Sequence, residues 1–314
     1  MRKTILFFIC FLLLPSIHVQ AEDEMEETTK KMNLYLKQQA LTQIPWYYYA
    51  AINQYENNIR DNDNIIAMEF EEMTWYGPLN NDKIPHPSVI EMFGGIGKDG
   101  NGDEMAKDQN PEDILATLSD YLLKYGKTEQ DIKIALWNYY QRELTVQTII
   151  NIAKVYKEMN QIDNFKQAFP VPKGYNNSYN NTWGDKRGFG GRRIHEGTDI
   201  FANYGTPVRA TNTGVVELKG WNKFGGWRIG IRDVFNRYHY YAHLNQFTEG
   251  INVGDIVKAG EVIGTVGSTG YGPPGTSGKF PPHLHYGIYK DDGKNEWAFD
   301  PYPYLKIWQR NAVD

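Results

Sequence analysis

Cysteine is almost absent from this chain of 314 residues, since Cys10 is the only one. It lies within an apolar segment near the N-terminus, too early for lipid attachment and directly after the bulky Phe8 and Ile9. Beyond this segment the chain can form no disulfide and offers no thiolate to a metal. Any metal site must therefore use histidine, aspartate or glutamate.

Long hydrophobic runs are also lacking, apart from one at the N-terminus. Arg2 and Lys3 precede the ten apolar residues 5–14, and Val19–Ala21 resembles a small-residue cleavage site. This order is typical of a signal peptide, and the run is short for a membrane helix, which needs about 20 residues. We predict a signal peptide at residues 1–21 and an exported mature chain without a stable membrane span, extracellular or associated with the cell wall. An uncleaved membrane anchor is the alternative.

No block of like charge occurs, and the formal net charge is -5. A net acidic chain disfavours nucleic acid as a partner. With 41% hydrophobic and 23% charged residues, the composition is that of a globular protein, and the length is sufficient for two domains.

The first half of the chain has helical patterns. Pro45 opens a helix predicted at Trp46–Tyr55, and Asn110 followed by Pro111 is a helix start. Thr128–Asp131 resembles a capping box, and a further pattern covers Thr145–Met159.

The second half is typical of an all-β domain. The sequence changes character near Pro170–Pro172, and short apolar runs separated by glycines follow. Strands are predicted at Pro207–Ala210, Gly214–Leu218, Ile229–Val234, Tyr238–His243, Ile256–Lys258, Val262–Val266 and His283–Tyr289. We therefore predict an α+β multidomain protein, with a helical domain at 22–165, a linker at 166–182 and an antiparallel all-β domain at 183–314.

Five of the seven histidines cluster in this β domain. His195 and Asp199 lie four residues apart, and a turn at Gly197 can bring their side chains together. His283 and His285 are two apart in a predicted strand, so both imidazoles project to one face. His243 ends another strand.

This pattern favours a catalytic zinc site. Zinc catalysis uses three protein ligands and one open position, and two of these histidines with Asp199 supply that number. The remaining histidines can transfer protons. A two-histidine, one-carboxylate set also suits iron. His239 is better interpreted as a packed or surface residue, and His86 as a loop residue.

The motifs of the β domain resemble the M23 peptidases of the lysostaphin and LytM type, from about Phe169 to Ile288. The matching segments are HEGTDI (195–200), GTPVRA (205–210), GVV (214–216), YYAHL (240–244), VGDIVKAGEVIGTVGSTG (253–270) and HLHYGI (283–288). Glu196 departs from the family pattern, in which a basic residue is common.

The resemblance implies one Zn²⁺ per chain, bound by His195, Asp199 and His285, with His243 and His283 as the catalytic pair. It also implies an antiparallel β fold with a groove over the metal, and peptidoglycan peptides as substrate. The layout resembles the sporulation enzymes that cut L-Ala–D-Glu bonds, so a sporulation compartment is an alternative location. Arg192, Arg193 and Arg228 are candidates for binding substrate carboxylates, or are solvated surface residues.

The helical region contains the segments Phe93–Gly97 and Asp99–Asp103, the capped helix Asn110–Tyr125 and the helix Ile44–Ile52, which ends near Glu56. Together these partly resemble the lysozyme-like lytic transglycosylases. There Glu56 would be the general acid, although a helical scaffold or wall-binding domain is the alternative. Asp99, Asn101 and Asp103 have the spacing of a calcium loop that is not completed, and a solvated turn is the alternative. A peptidase, a non-catalytic wall-binding or activator protein, and a glycosidase therefore remain as functional hypotheses.

Overall fold

The structure is a computed structural model that describes residues 14–60, 64–188 and 192–311. Residues 1–13 of the predicted signal peptide lie outside the described residues. No helix in the described part of the chain is long and apolar enough to cross a membrane.

In the described residues, seven helices come first along the chain, the strands follow, and one further helix comes last. The helices are α1 (Leu14–Thr42), α2 (Trp46–Ile59), α3 (Glu72–Tyr76), α4 (Pro87–Met92), α5 (Pro111–Leu123), α6 (Glu129–Tyr140), α7 (Glu143–Met159) and α8 (Tyr302–Asn311). The strands are β1 (Asn177–Ser178), β2 (Lys186–Arg187), β3 (Arg193–Ile194), β4 (Thr198–Ala202), β5 (Pro207–Arg209), β6 (Gly214–Asn222), β7 (Gly226–Asp233), β8 (Arg237–Phe247), β9 (Ile256–Val257), β10 (Val262–Val266), β11 (His283–Asp291) and β12 (Glu296–Phe299).

Helix starts follow the predicted caps. The side chain of Asn110 accepts hydrogen bonds from two N–H groups in the first turn of α5, and Pro111 occupies the first position, where no N–H partner is needed. Thr128 and Asp131 cap α6 reciprocally, each side chain bonding the backbone N–H of the other. The helices predicted from these signals are confirmed. The sequence patterns missed the C-terminal helix α8 and strand β12.

The predicted antiparallel β domain is confirmed. A ten-stranded sheet has the order β1-β4-β11-β8-β7-β6-β9, with β10 pairing β5 and β8, and β12 pairing β11. The core contains the inward side chains of these strands, together with Leu305 and Trp308 of α8. β2 and β3 form a separate hairpin.

The chain divides into two compact units: Met1–Ala50 with Asp63–Ala135, and Ala51–Asn62 with Leu136–Asp314. The predicted linker at 166–182 does not coincide with this division, because α7 belongs to the same unit as the sheet. Within that unit the guanidinium of Arg142 donates two hydrogen bonds to the buried Asp291, at 2.8 and 2.7 Å. Asn151 of α7 likewise donates to Glu217 of β6, at 2.9 Å.

Candidate active site

The three predicted metal ligands meet where β4 and β11 pair. Asp199 lies opposite His285 in this antiparallel pair, and His195 precedes β4. Oδ1 of Asp199 is 3.0 Å from Nε2 of His195 and 3.1 Å from Nδ1 of His285, and the two nitrogens are 2.8 Å apart. Within the described ranges, this is the one group of three whose ligand atoms could all reach a single metal ion.

Thr182 fixes the proton of His195. Nδ1 of His195 lies 2.7 Å from the carbonyl oxygen of Thr182. The guanidinium of Arg187 also faces this nitrogen but is farther away, at 3.0 Å. Because the closer carbonyl can only accept, Nδ1 donates to it and Nε2 keeps a lone pair beside Asp199 and His285. The hydroxyl of Thr182 accepts the backbone N–H of Asp199, at 3.1 Å. Thr182 was not predicted from the sequence, because no motif marks a backbone carbonyl group.

Arg187 binds the other oxygen of Asp199. From β2, its guanidinium donates to Oδ2 at 2.6 Å, which leaves Oδ1 to the two histidines. Burial alone would raise the pKa of Asp199, but the neighbouring His195 and His285 outweigh burial and hold this pKa well below its usual range. Asp199 is therefore an anion at neutral pH. Arg187 was not predicted either, because a single cation in a hairpin has no recognisable spacing.

Gly197 allows His285 to approach this closely. A Cβ atom at position 197 would lie 2.6 Å from Cε1 of His285 and 2.6 Å from the carbonyl oxygen of Tyr286. Real Cβ atoms essentially never make contacts under 3.0 Å, so the packing of β4 against β11 requires glycine here.

A β-bulge turns His243 toward the other site histidines. Tyr241 of β8 is buried in the core, so simple alternation would direct His243 there as well. The register between β7 and β8 shifts at this point, and His243 has a φ of 63°. The extra residue resets the alternation. As a result, the ring of His243 lies 4.8 Å from that of His283 and 6.0 Å from that of His285.

His239 lies on the opposite face. A strict period of two would give His239 the same strand face as His243, but the bulge between them separates the two side chains. Its ring is fully buried, with Nε2 2.9 Å from Asp233 and Nδ1 2.8 Å from the hydroxyl of Tyr286. Its interpretation as a packed residue is confirmed.

His243 and His283 share one protonation pattern. Nδ1 of His243 lies 2.7 Å from the carbonyl oxygen of Thr269, and Nδ1 of His283 lies 2.9 Å from that of Pro281. Both Nδ1 atoms therefore donate, and both Nε2 atoms keep a lone pair. Burial, helped by neighbouring histidines, lowers the pKa of His243 to about 3. Burial also lowers the pKa of His283. Both rings are neutral at neutral pH and can accept a proton.

A groove of about 1200 Å³ contains these side chains. Its sheet side carries three tyrosines and its loop side three further aromatic residues: Tyr238, Tyr240 and Tyr289, and Phe224, Tyr271 and Phe280. Of the arginines considered as substrate contacts, Arg193 and Arg228 belong to its described lining and Arg192 does not. Tyr289 donates a hydrogen bond to Glu196 at 3.2 Å. Glu196, the residue that departs from the family pattern, is therefore in contact with the wall of the groove.

Glu56 does not fit the role of a glycosidase acid. It is fully buried in α2, and its carboxylate accepts hydrogen bonds from Arg60, at 2.5 Å, and from the hydroxyl of Tyr140. A general acid must reach the glycosidic oxygen of the substrate. A carboxylate without exposed surface cannot do so, and the hypothesis of catalysis at Glu56 is not supported.

The calcium hypothesis is also not supported. Both oxygens of Asp99 accept backbone N–H groups of the same loop, at 2.7 and 2.9 Å. Asn101 and Asp103 each accept one more, and Asp103 pairs with Lys107 at 3.1 Å. The oxygens expected to bind calcium therefore stabilise the turn itself.

The site geometry is that of a metallopeptidase, and comparison with known proteins identifies the family. The sequence profile described as peptidase family M23 matches residues 193–301, a range that contains all five predicted site residues. An L-Ala–D-Glu endopeptidase from Bacillus subtilis (strain 168) is 58% identical over 290 residues, which cover 90% of this chain and 89% of that protein. The chain belongs to peptidase family M23 and is an endopeptidase, as predicted.

Other relatives match a smaller part of the chain. The peptidoglycan DD-endopeptidase ShyC of Vibrio cholerae is 38% identical over 104 residues, which cover 32% of this chain and 22% of that protein. The solved catalytic domain of lysostaphin from Staphylococcus simulans is 36% identical, with 42% of this chain and 92% of that chain covered and a TM-score of 0.33.

Proposed function

We propose that this chain is an exported zinc endopeptidase that cuts the bond between L-Ala and D-Glu in the stem peptides of peptidoglycan. The observation that carries the proposal is the convergence of His195, Asp199 and His285 on one point beside two neutral histidines. The choice of bond follows from the name of the Bacillus subtilis relative, which is similar over nearly the whole chain.

The donor set fits zinc. Two imidazole nitrogens and one carboxylate oxygen are hard to borderline ligands of the kind zinc uses in catalytic sites, and three protein ligands leave a position for water or substrate. The lone pair of His195 is directed to the common point by Thr182, and Asp199 is ionised. Both conditions are needed for metal binding without prior proton loss.

When bound, zinc would acidify a water molecule and polarise the scissile carbonyl. We assign the proton transfers to His243 and His283, since each has Nδ1 bonded to a carbonyl and Nε2 unprotonated. One Nε2 accepts the proton of the attacking water, and an Nε2–H formed in this way can protonate the leaving amine. Both histidines are buried, each 7% exposed, which limits access of bulk water to these rings.

Export is part of the proposal and rests on the signal peptide predicted at residues 1–21. Action at the cell wall follows from the substrate, and an association with sporulation follows from the resemblance of the layout. A signal peptide and an M23 domain are consistent with such a location.

The test is mass spectrometry of purified peptidoglycan after digestion by the zinc-loaded protein. We expect new L-alanine carboxyl termini and D-glutamate amino termini, which disappear with a zinc chelator and with His283→Ala. His86→Ala, in a loop far along the sequence from the site, serves as the matched control and should retain activity. Intact peptides with anhydro-sugar ends, or sedimentation with the wall without cleavage, would contradict the proposal.

A further inference from the structure

We propose that Arg228 forms a subsite that recognises the free carboxylate of the acidic residue at the scissile bond. This inference rests on the proposed cleavage next to D-Glu. A glutamyl residue has two carboxyl groups and uses one of them to continue the chain. Whichever is used, the other remains as a carboxylate within a few bonds of the amide that is cut.

Arg228 lies next to the catalytic bulge. Its neighbours on β7 pair with Leu244 and Tyr241 of β8, so Arg228 is opposite the bulge at His243. Ile229 is buried in the core, and alternation along the strand therefore puts Arg228 on the other face. That face is the groove, whose lining includes Arg228.

One tyrosine separates Arg228 from the predicted ligands. The guanidinium carbon of Arg228 is 5.9 Å from the ring centre of Tyr240, and that ring centre is 5.9 Å from the ring of His285. Gly225 permits this arrangement, because a Cβ there would lie 2.4 Å from the hydroxyl of Tyr240. Arg228 and His285 thus both neighbour the ring of Tyr240, and a carboxylate bound at Arg228 would lie in the same groove as the predicted metal position.

The side chain of Arg228 hydrogen-bonds Tyr240, a neutral partner, so its charge remains available for an anion. Arg187 pairs with Asp199, whereas Arg193, like Arg228, has a tyrosine as partner, the hydroxyl of Tyr271 at 2.9 Å. No ion pair joins Arg228 to any carboxylate in the described part of the chain, and its buried Nε has no hydrogen-bond partner there. A buried donor without a partner costs free energy, which a ligand carboxylate would recover. A guanidinium can bind such a group with two parallel hydrogen bonds.

The experiment compares two peptides that differ only in charge. One is a stem peptide containing L-Ala–D-Glu with the free carboxylate, and the other has this group converted to a carboxamide. The zinc-loaded wild type, Arg228→Gln and the control Lys223→Gln are assayed with both. Lys223 is an exposed cation in the same β-hairpin and is outside the groove lining.

We expect the wild type and the control to prefer the acid over the amide by roughly 10- to 100-fold in kcat/KM, as the strength of a charge-assisted hydrogen bond implies. In Arg228→Gln this preference should fall to within about threefold, because kcat/KM decreases for the acid peptide and stays the same for the amide peptide. The amide side chain of glutamine can bind a carboxylate only as a neutral donor. Zinc content should be unchanged.

Two results would overturn the inference: equal cleavage of both peptides by the wild type, or an equal loss on both in Arg228→Gln. If the wild type cuts neither peptide, the proposed function fails, and calorimetric titration of the same peptides decides the subsite. Tighter binding of the acid by the wild type, but not by Arg228→Gln, would then support it. Equal binding of acid and amide would refute it.

Discussion

Replacing Gly197 by alanine should displace a zinc ligand without removing one. The new Cβ would lie 2.6 Å from Cε1 of His285, whereas ordinary Cβ contacts begin at 3.4 Å. The new Cβ would therefore lie about 0.8 Å too close to His285 (3.4 Å less 2.6 Å). It cannot move toward Tyr286, because the carbonyl oxygen of that residue is also only 2.6 Å away. Zinc–nitrogen distances tolerate changes of only about 0.2 Å.

We expect the zinc affinity of Gly197→Ala to fall by about 10- to 100-fold, the range for changes beside a ligand. We also expect overpacking to cost about 1–3 kcal/mol of stability.

The assay is competition for zinc against a chromophoric chelator, together with thermal unfolding of the metal-free protein. Gly188→Ala is the matched control, because a Cβ there meets nothing within 4 Å and its φ is not in the left-handed region. If Gly197→Ala bound zinc within twofold of the wild type and unfolded at the same temperature, the argument from close packing would be refuted.

Three further predictions concern the surroundings of the metal position and helix α2. Arg187→Met should weaken zinc binding by about 10- to 100-fold, since it leaves Oδ2 of Asp199 without its cation, and the chelator assay measures this. His243→Ala should retain one zinc per chain, by metal analysis, and lose roughly 100-fold or more in kcat, as expected for a proton-transfer group. Glu56→Gln should keep peptidase activity and lower stability by about 1–3 kcal/mol in thermal denaturation, because Arg60 loses its buried anionic partner; loss of a glycan-cleaving activity in this variant would contradict the structural role.

Sequence patterns predicted the elements that depend on local rules. The caps at Asn110 and Thr128 determined two helix starts, because a side-chain acceptor at that position satisfies free N–H groups. The period of two predicted that His283 and His285 share a face, and the resemblance grouped them with His195 and Asp199. These are the residues that the structure brings together.

Other features depend on contacts between distant segments, and no local pattern reports them. Thr182 acts through a backbone carbonyl, and Arg187 acts from a separate hairpin. The bulge at His243 reverses the face that alternation assigns, since a single residue with positive φ changes every side-chain direction after it. The predicted boundary at 166–182 followed composition, whereas the compact units follow packing.

The contact between α7 and the sheet provides a test of that packing. Asp291 ends β11, the strand that begins with His283, and its buried carboxylate receives both hydrogen bonds of the Arg142 guanidinium. Arg142→Met leaves this anion buried with the side-chain amide of Asn236 at 3.4 Å as a poor substitute. Loss of one partner of a buried ion pair costs about 3–5 kcal/mol of stability, and the partial exposure of Arg142 favours the lower end of this range. For a unit of this size, that loss should lower Tm by about 6–12 °C. Lys133→Met, which breaks the exposed pair with Glu129, should change Tm by no more than about 2 °C. Calorimetry of the zinc-loaded proteins measures both changes. Equal, small shifts would mean that the peptidase sheet does not depend on α7, and that the boundary suggested by composition is the physical one.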